Sequence, residues 1–133
     1  MVEVEATAEV EQHHPLANCG ASPLYRPVAP TRTGRRQISH CVQGHGPDRA
    51  DVVVVGEMPG GQEILHGKPM IGPTGRVLNN LLEAIGMRRP QVYVTNAVIC
   101  RAEDGNVKPS QQAIRACQAR LFEEVRARQP KAV

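Results

Sequence analysis

The chain has very few aromatic residues, and this limits how it could contact nucleic acid. Aromatic residues make up 2% of the 133 residues, and there is no tryptophan. Proteins that bind single strands through stacking platforms need several exposed rings. The composition therefore argues against such a platform and favours a core built from Val, Leu, Ile and Ala.

Long apolar runs and a secretory leader are also missing. No apolar run approaches the roughly 20 residues that a membrane span needs. Met1 to Glu11 alternates acidic with small residues and lacks the basic start and apolar centre of a leader. We therefore expect a cytoplasmic protein with no membrane partner. In that compartment disulfides are unlikely, so the four cysteines would be buried thiols or metal ligands.

The formal net charge of +3 permits a polyanionic partner without requiring one, but the charges are unevenly distributed. The first residues are acidic, and we expect residues 1–18 to form a disordered tail ahead of one domain over residues 19–133. A basic stretch from Arg26 to Arg36 follows. Its arginines are as well suited to phosphate contact as to simple solvation.

Two apolar strands alternate with two helices, which predicts an α/β fold with a parallel sheet. The run from Asp51 to Val55 lacks alternation and fits a strand buried on both faces. A Gly-rich loop from Gly56 to Gly75 follows. Gln91 to Val98 reads as the second strand, and Lys131 to Val133 as the start of a third. This order of elements implies right-handed crossovers and a parallel sheet.

Helical periodicity defines the two connecting segments. Gly86 suits a left-handed cap that ends the first helix, and Ser110 suits the N-cap of the second. The predicted inner faces are Val77, Leu78, Leu81, Leu82 and Ile85 in the first helix, and Ile114, Cys117, Leu121 and Val125 in the second.

The loop after the first strand carries the chemistry. Ligands of parallel sheets bind outside the carboxyl ends of the strands, and Gly56 lies at such an end. Glycine at positions 56 and 60 allows close backbone approach, and Pro59 stiffens the turn. Glu57 would then lie at the rim of the site, where a carboxylate can position a water or stabilise a cationic sugar. Taken alone, the short string is better explained by a tight strand-to-helix turn with a surface glutamate.

The longer segment from Val52 to Gly75 resembles the first motif of the iron–sulfur uracil-DNA glycosylases, the family-four branch of the uracil-DNA glycosylase superfamily. Further resemblances follow in the family's order over residues 19–133: Cys19 to Arg26, Val42 to Gly46, Val92 to Val98, Cys100-Arg101 and Cys117. The first motif matches at Gly56, Glu57, Pro59, Gly60, Gln62, Glu63, Gly67, Pro69, Gly72 and Gly75. The resemblance implies a three-layer, parallel-sheet uracil-DNA glycosylase-like fold. It would be incomplete at the C-terminus, because the family's His-Pro-Ser motif lies beyond Val133.

The resemblance also implies roles for individual residues. Glu57 would be catalytic and would help water attack C1′ as uracil leaves. Asn96 would read the Watson–Crick edge of the flipped base, since an amide both donates and accepts. The remaining residues expected to contact the base or DNA are Gly56, Met58, Pro59, Gly60 and Met70. Met70 stands where the family has a stacking Phe, and Ile64 where it usually has an acid; both departures weaken the case for an enzyme.

The cysteines imply a metal site by the same resemblance. A cubane iron–sulfur cluster needs four thiolates. Cys19, Cys100 and Cys117 match three family positions, whereas Ser22 occupies the fourth, so Cys41 is the candidate replacement. A 4Fe-4S cluster is favoured, and a zinc site with the same ligands or no metal at all are the alternatives.

These residues lead to one main hypothesis and two others. The main one is a uracil-DNA glycosylase-like protein of base-excision repair, with DNA as partner and turnover that is weak or absent. The chain would be a fragment, would be completed by a second polypeptide, or would have lost activity. The first alternative is a non-catalytic module with a degenerate glycosylase fold that binds DNA or protein through the basic stretch. The second is a zinc-stabilised interaction domain.

Overall fold

A computed structural model describes residues 41–100 and 108–133. The acidic tail, Cys19, Ser22 and the basic stretch from Arg26 to Arg36 lie outside the described residues, as does most of the polar loop before Ser110.

Two parallel strands form the sheet, as the sequence predicts. Strand β1 spans Val53–Gly56 and strand β2 spans Tyr93–Asn96, and their register pairs Gly56 with Asn96 at the carboxyl ends. Val52 forms a single parallel bridge with Ala132 on the other edge of β1. This bridge agrees with a third strand starting near residue 131.

Three α-helices connect these strands: α1 spans Gly61–His66, α2 spans Pro73–Ala84 and α3 spans Gln111–Arg128. A short 3-10 helix at Arg89–Gln91 precedes β2. The prediction of an uninterrupted loop from Gly56 to Gly75 is therefore wrong. Helix α1 forms within it because the Glu63 carboxylate returns to the amide of Gly60 and caps the first turn.

The predicted caps of the longer helices are present. Ser110 Oγ accepts a hydrogen bond of 3.2 Å from the amide of Ala113 and starts α3. Gly86 adopts a left-handed φ of 76° just beyond α2, where a side chain would be strained.

Helices cover both faces of the sheet. Val54 packs in one cluster with Leu82 of α2, whereas its neighbour Val53 packs with Val125 of α3. Successive side chains of a strand point to opposite faces, so α2 and α3 lie on opposite sides. The three-layer α/β arrangement of the prediction is confirmed.

The predicted inner faces of the helices are only partly correct. In α2 and at its C-cap, Leu82 is buried and Leu78 is half-buried. The other predicted inner residues, Val77, Leu81 and Ile85, are 58%, 62% and 68% exposed, because the sheet of two strands is too narrow to cover the whole apolar face.

The buried face of α3 also differs from the prediction. Its buried positions are Ala113, Cys117, Arg120 and Glu124, and the predicted Ile114, Leu121 and Val125 lie to one side of them. The predicted face of α3 was displaced because the prediction counted only apolar residues, whereas the charged residues Arg120 and Glu124 lie at the centre of the buried face.

A buried ion pair between Arg120 and Glu124 joins α3 to the end of β2. The Arg120 guanidinium also donates to the carbonyl oxygens of Asn96 and Ala97, at 2.7 and 2.8 Å. Tyr93 donates its hydroxyl to Glu124 Oε1 at 2.6 Å. Burial raises the pKa of Tyr93 to about 12, and the neighbouring Glu124 carboxylate adds to the rise. The network fixes the backbone on which Asn96 sits.

No helix within residues 41–100 and 108–133 combines the length and hydropathy that crossing a membrane requires.

We predict that Arg120→Met lowers the free energy of unfolding by ~3–5 kcal/mol, because it leaves the buried Glu124 carboxylate without its charged partner. Arg115→Met, an exposed change on the same helix, should shift the unfolding free energy by no more than about 0.5 kcal/mol. Chemical denaturation checks both. Adding Glu124→Gln to Arg120→Met should recover part of the loss, because the unpaired charge is gone. Wild-type stability in the single Arg120→Met variant would contradict a structural role for the pair.

Candidate functional site

Three of the predicted base-contacting residues meet at the carboxyl ends of the strands. A Cβ atom placed on Gly56 would overlap both Asn96 Oδ1 and the Met70 methyl group. The absence of a side chain at position 56 therefore lets the Asn96 amide and the Met70 thioether converge over the backbone. Gly56, Met70 and Asn96 therefore lie together at one end of the sheet.

Asn96 is nearly enclosed, but its side-chain amide makes no hydrogen bond to another described residue. The residue is 3% exposed, and its backbone carbonyl is held by Arg120. Among the hydrogen bonds between described residues, none engages the side-chain amide. A buried strand-end amide of this kind can donate to and accept from a ligand.

Glu57 lies one residue beyond the Gly56–Asn96 pair and is exposed. Two backbone hydrogen bonds continue the strand pairing past the sheet: Ala97 donates to the Gly56 carbonyl at 2.8 Å, and Val98 to the Glu57 carbonyl at 3.0 Å. The backbone at position 57 is thus fixed while its carboxylate remains in contact with solvent. This combination suits a group that handles a water molecule at the rim of a pocket.

The loop that carries Met70 is held by Glu63. One carboxylate oxygen accepts from the Gly60 amide at 2.9 Å, and the other from the amides of Ile71 and Gly72, at 3.0 and 2.6 Å. Gly60 belongs to the Glu57 turn, whereas Ile71 and Gly72 follow Met70. The carboxylate therefore ties together the two sides of the site.

Arg89 holds the same loop from the opposite side. Its guanidinium donates to the carbonyl oxygens of Met70 and Pro69, at 2.7 and 2.6 Å. Burial lowers the pKa of Arg89, and the negative charge of Glu63 opposes that shift. Gly75 completes the fit, because a Cβ there would overlap the Met70 carbonyl.

Met58 and Pro59 face away from this convergence. Pro59 is buried, and Met58 packs against a core cluster that contains Cys41, Cys100 and Cys117. The turn that carries Glu57 is thus anchored on the core cluster that contains the cysteines.

The cysteines partly contradict the sequence prediction. Cys41 and Cys100 form a disulfide, although unpaired thiols or metal ligands were expected. An antiparallel bridge between the two residues, with Val42 donating to the Ile99 carbonyl at 2.7 Å, brings their Cα atoms to 3.9 Å. Cys117 remains a buried thiol.

The structure does bring three of the four predicted metal-binding cysteines into one buried cluster, and the fourth, Cys19, lies outside the described residues. With Cys41 and Cys100 bonded to each other, the described part of the chain has no group of three or more His, Cys, Asp or Glu residues arranged to hold a metal.

A separate apolar groove of about 410 Å³ lies on the α3 side of β1, away from Met70. Val55, Leu121, Phe122, Val125, Arg126 and Val133 line it. Gly56, Met70 and Asn96 are not among its lining residues, so the groove is separate from the convergence at Gly56.

No role was predicted from the sequence for three residues that shape the site: Glu63, Arg89 and Arg120. Glu63 could have been found, since an acid three residues after a possible N-cap signals a capping box. Arg89 and Arg120 act on carbonyl groups 19 to 24 residues away, and no local pattern reports such contacts.

Comparison with known proteins points to one family. Residues 43–133 match the model of the uracil DNA glycosylase superfamily. The chain is 37% identical over 92 residues to the type-4 uracil-DNA glycosylase of Archaeoglobus fulgidus, covering 69% of this chain and 46% of the relative. It is 30% identical over 121 residues to the type-4 enzyme of Pyrobaculum aerophilum, covering 91% and 56%. The chain thus spans about half the length of the curated relatives it matches.

We predict that Gly56→Ala displaces Met70 or Asn96 and destabilises the chain by ~1–3 kcal/mol, the usual cost of overpacking. Gly61→Ala is the matched control, because a Cβ at the first residue of α1 meets nothing within 4 Å. That change should be neutral or stabilising by up to about 1 kcal/mol. Denaturation and the NMR signals of the Asn96 side-chain amide measure the effects. Equal behaviour of the two variants would show that the convergence at Gly56 is absent in solution.

Proposed function

Because the chain belongs to the uracil DNA glycosylase superfamily, we propose that it acts in base-excision repair by hydrolysing the N-glycosidic bond of uracil in DNA. The observation that carries this proposal is the convergence of Asn96 and Met70 over Gly56, directly beside Glu57. The names of the type-4 relatives support the same substrate.

Base recognition is assigned to Asn96. The target nucleotide leaves the stack and its base enters the site. The Asn96 amide then donates to O4 of uracil and accepts from N3–H. Cytosine presents the opposite pattern and would leave buried polar groups unpaired, which disfavours it. Met70 contacts the ring through its thioether, as sulfur does with other aromatic rings.

Bond cleavage is assigned to Glu57. Its exposed carboxylate orients a water molecule towards C1′ and stabilises the positive charge that develops on the sugar. As the glycosidic bond breaks, its electron pair leaves with uracil as an anion, and the oxygen of water forms the new bond to C1′. The proton that water loses passes by way of the Glu57 carboxylate to solvent, and uracil takes up a proton from solvent. The backbone hydrogen bonds at positions 97 and 98 keep this group in line with Asn96.

A 4Fe-4S cluster is proposed on Cys19, Cys41, Cys100 and Cys117. The shared burial of the last three supports it, and reduction of the Cys41–Cys100 disulfide would yield two thiolates beside the third. Four thiolates satisfy a cubane cluster. The bound cluster would cross-link the segment at position 41, the end of β2 and helix α3, beneath the turn that carries Met58.

A second polypeptide segment is proposed as a further partner beside DNA. One edge of β1 pairs only through the bridge to Ala132 among the described residues, and open edges invite a further strand. The adjoining groove is apolar, and Phe122 and Val133 on its wall are 57% and 75% exposed. A segment that adds a strand there would bury both.

The second candidate function is DNA binding without base release. It is favoured by one observation: Met70 is a flexible side chain at a position where the resemblance implies a flat stacking ring. Excision assays that include a binding measurement separate the two candidates.

We predict slow release of uracil from single-stranded DNA under single-turnover conditions, and a loss of at least about a hundredfold in Glu57→Gln. Asn96→Asp should abolish the preference for uracil over cytosine in binding, since a carboxylate cannot donate. Asn80→Asp, an exposed change of the same kind on α2, is the control and should alter neither. Strand cleavage after alkali measures release. Salt-dependent binding with no release would support the second candidate and contradict hydrolysis.

We predict that the anaerobically reduced chain takes up iron and turns brown, and that Cys41→Ser removes most of it. In Cys41→Ser, the further change Ser22→Cys should restore the iron, because it supplies the thiolate at the position that the resemblance implies. Metal analysis and the absorption spectrum measure both. Bound zinc with a colourless protein, or full iron in Cys41→Ser, would contradict this ligand set.

A further inference from the structure

The backbone from Pro69 to Gly72 lies between an anion and a cation. The Glu63 carboxylate accepts from the amides of Ile71 and Gly72, and the Arg89 guanidinium donates to the carbonyls of Pro69 and Met70. Each charge is thus satisfied by peptide groups of the same short segment. Charge-assisted hydrogen bonds of this kind are about twice as strong as neutral ones.

The segment needs this support because of its conformation. Met70 has a φ of 47°, in the left-handed region that a residue with a side chain rarely adopts. Such conformations persist only where the surroundings determine them. The same conformation directs the Met70 methyl group to Gly56, where it meets Asn96.

Glu63 also connects this segment to the Glu57 turn. Its other oxygen accepts from Gly60, three residues after Glu57, and the residue is 9% exposed. A single buried carboxylate therefore sets the distance between the proposed hydrolytic group and the proposed base-contacting wall.

We infer that Glu63 is a positioning residue for base recognition, because its two carboxylate oxygens hold the Glu57 turn and the Met70 segment at the separation that a flipped base requires. This inference rests on the proposed function. Glu63 does not contact the base itself. It acts through Gly60 on one side and through Ile71 and Gly72 on the other.

The test uses the whole chain and DNA containing 2′-fluoro-deoxyuridine, a nucleotide that resists base release, with thymine-containing DNA as the reference. Glu63→Gln preserves size but removes the negative charge and leaves one accepting oxygen, so that either the amide of Gly60 or those of Ile71 and Gly72 face a donating NH2 group, and the hydrogen bonds that remain are no longer charge-assisted. Glu83→Gln makes the same chemical change on an exposed residue of α2 and is the control. Amide hydrogen exchange is followed in parallel by NMR.

Glu63→Gln is expected to weaken binding of the uracil analogue by about tenfold, the effect of losing roughly one hydrogen bond to a charged group. Binding of thymine-containing DNA should stay within about twofold, because phosphate contacts are untouched. The amides of Ile71 and Gly72 should lose protection, whereas those of Tyr93 and Val94 in β2 should keep it. Glu83→Gln should change none of these quantities.

Unchanged discrimination in a folded Glu63→Gln protein that has lost protection at Ile71 and Gly72 would overturn the inference, because Glu63 would then have a structural role only. Unchanged protection would overturn it as well, since the carboxylate would not hold the segment. If the wild-type chain itself does not discriminate, the proposed function fails and the positioning role fails with it. The exchange data still reveal in that case whether Glu63 ties the two loops together.

Discussion

The parallel register of β1 and β2 is the constraint from which the site follows. Because Gly56 pairs with Asn96, both chains leave the sheet at the same level, and their next residues continue to exchange hydrogen bonds. A shift of one residue would turn every side chain of a strand to the other face. The register is secured from behind by Arg120, which binds the carbonyls at positions 96 and 97. A buried guanidinium on a helix thus determines where the Asn96 amide, the group proposed to read the base, can lie.

Buried and half-buried charges hold the backbone at the edge of the site. Arg89 and Glu63 direct most of their hydrogen bonds to peptide groups there, whereas Arg120 divides its own between two carbonyls and the side chains of Thr95 and Glu124. Burying such groups is costly unless their hydrogen bonds are made, and of these three side chains only Arg120 has a buried polar atom, Nε, without a partner among the described residues. The groups proposed to meet DNA are the side chains of Glu57 and Asn96, and no hydrogen bond between described residues engages either of them.

The sequence predicted the parts of the fold that depend on local pattern. The apolar run of β1, the Ser110 cap and the Gly86 turn are each encoded within a few residues, and all are present. The inner face of α3 was shifted because Arg120 and Glu124 are buried, and a pattern of apolar residues cannot reveal charges that are satisfied inside. The Cys41–Cys100 disulfide joins residues separated by 59 positions, so no local pattern predicts it. The expectation of a cytoplasmic protein, in which disulfides are rare, also argued against it. The glycine turn marks the candidate site in the sequence. The arginines that hold it, Arg89 and Arg120, are distant from it along the chain, so the sequence alone does not reveal them.

The way the Met70 segment is held has an evolutionary consequence. Glu63 and Arg89 grip peptide groups at positions 69 to 72, and neither depends on the side chain at position 70. The loop can therefore keep its shape while that side chain varies, so that a substitution at position 70 would leave the backbone around it in place. If the proposed base contact at Met70 holds, this makes position 70 the place where the choice of base could be altered at little cost to stability.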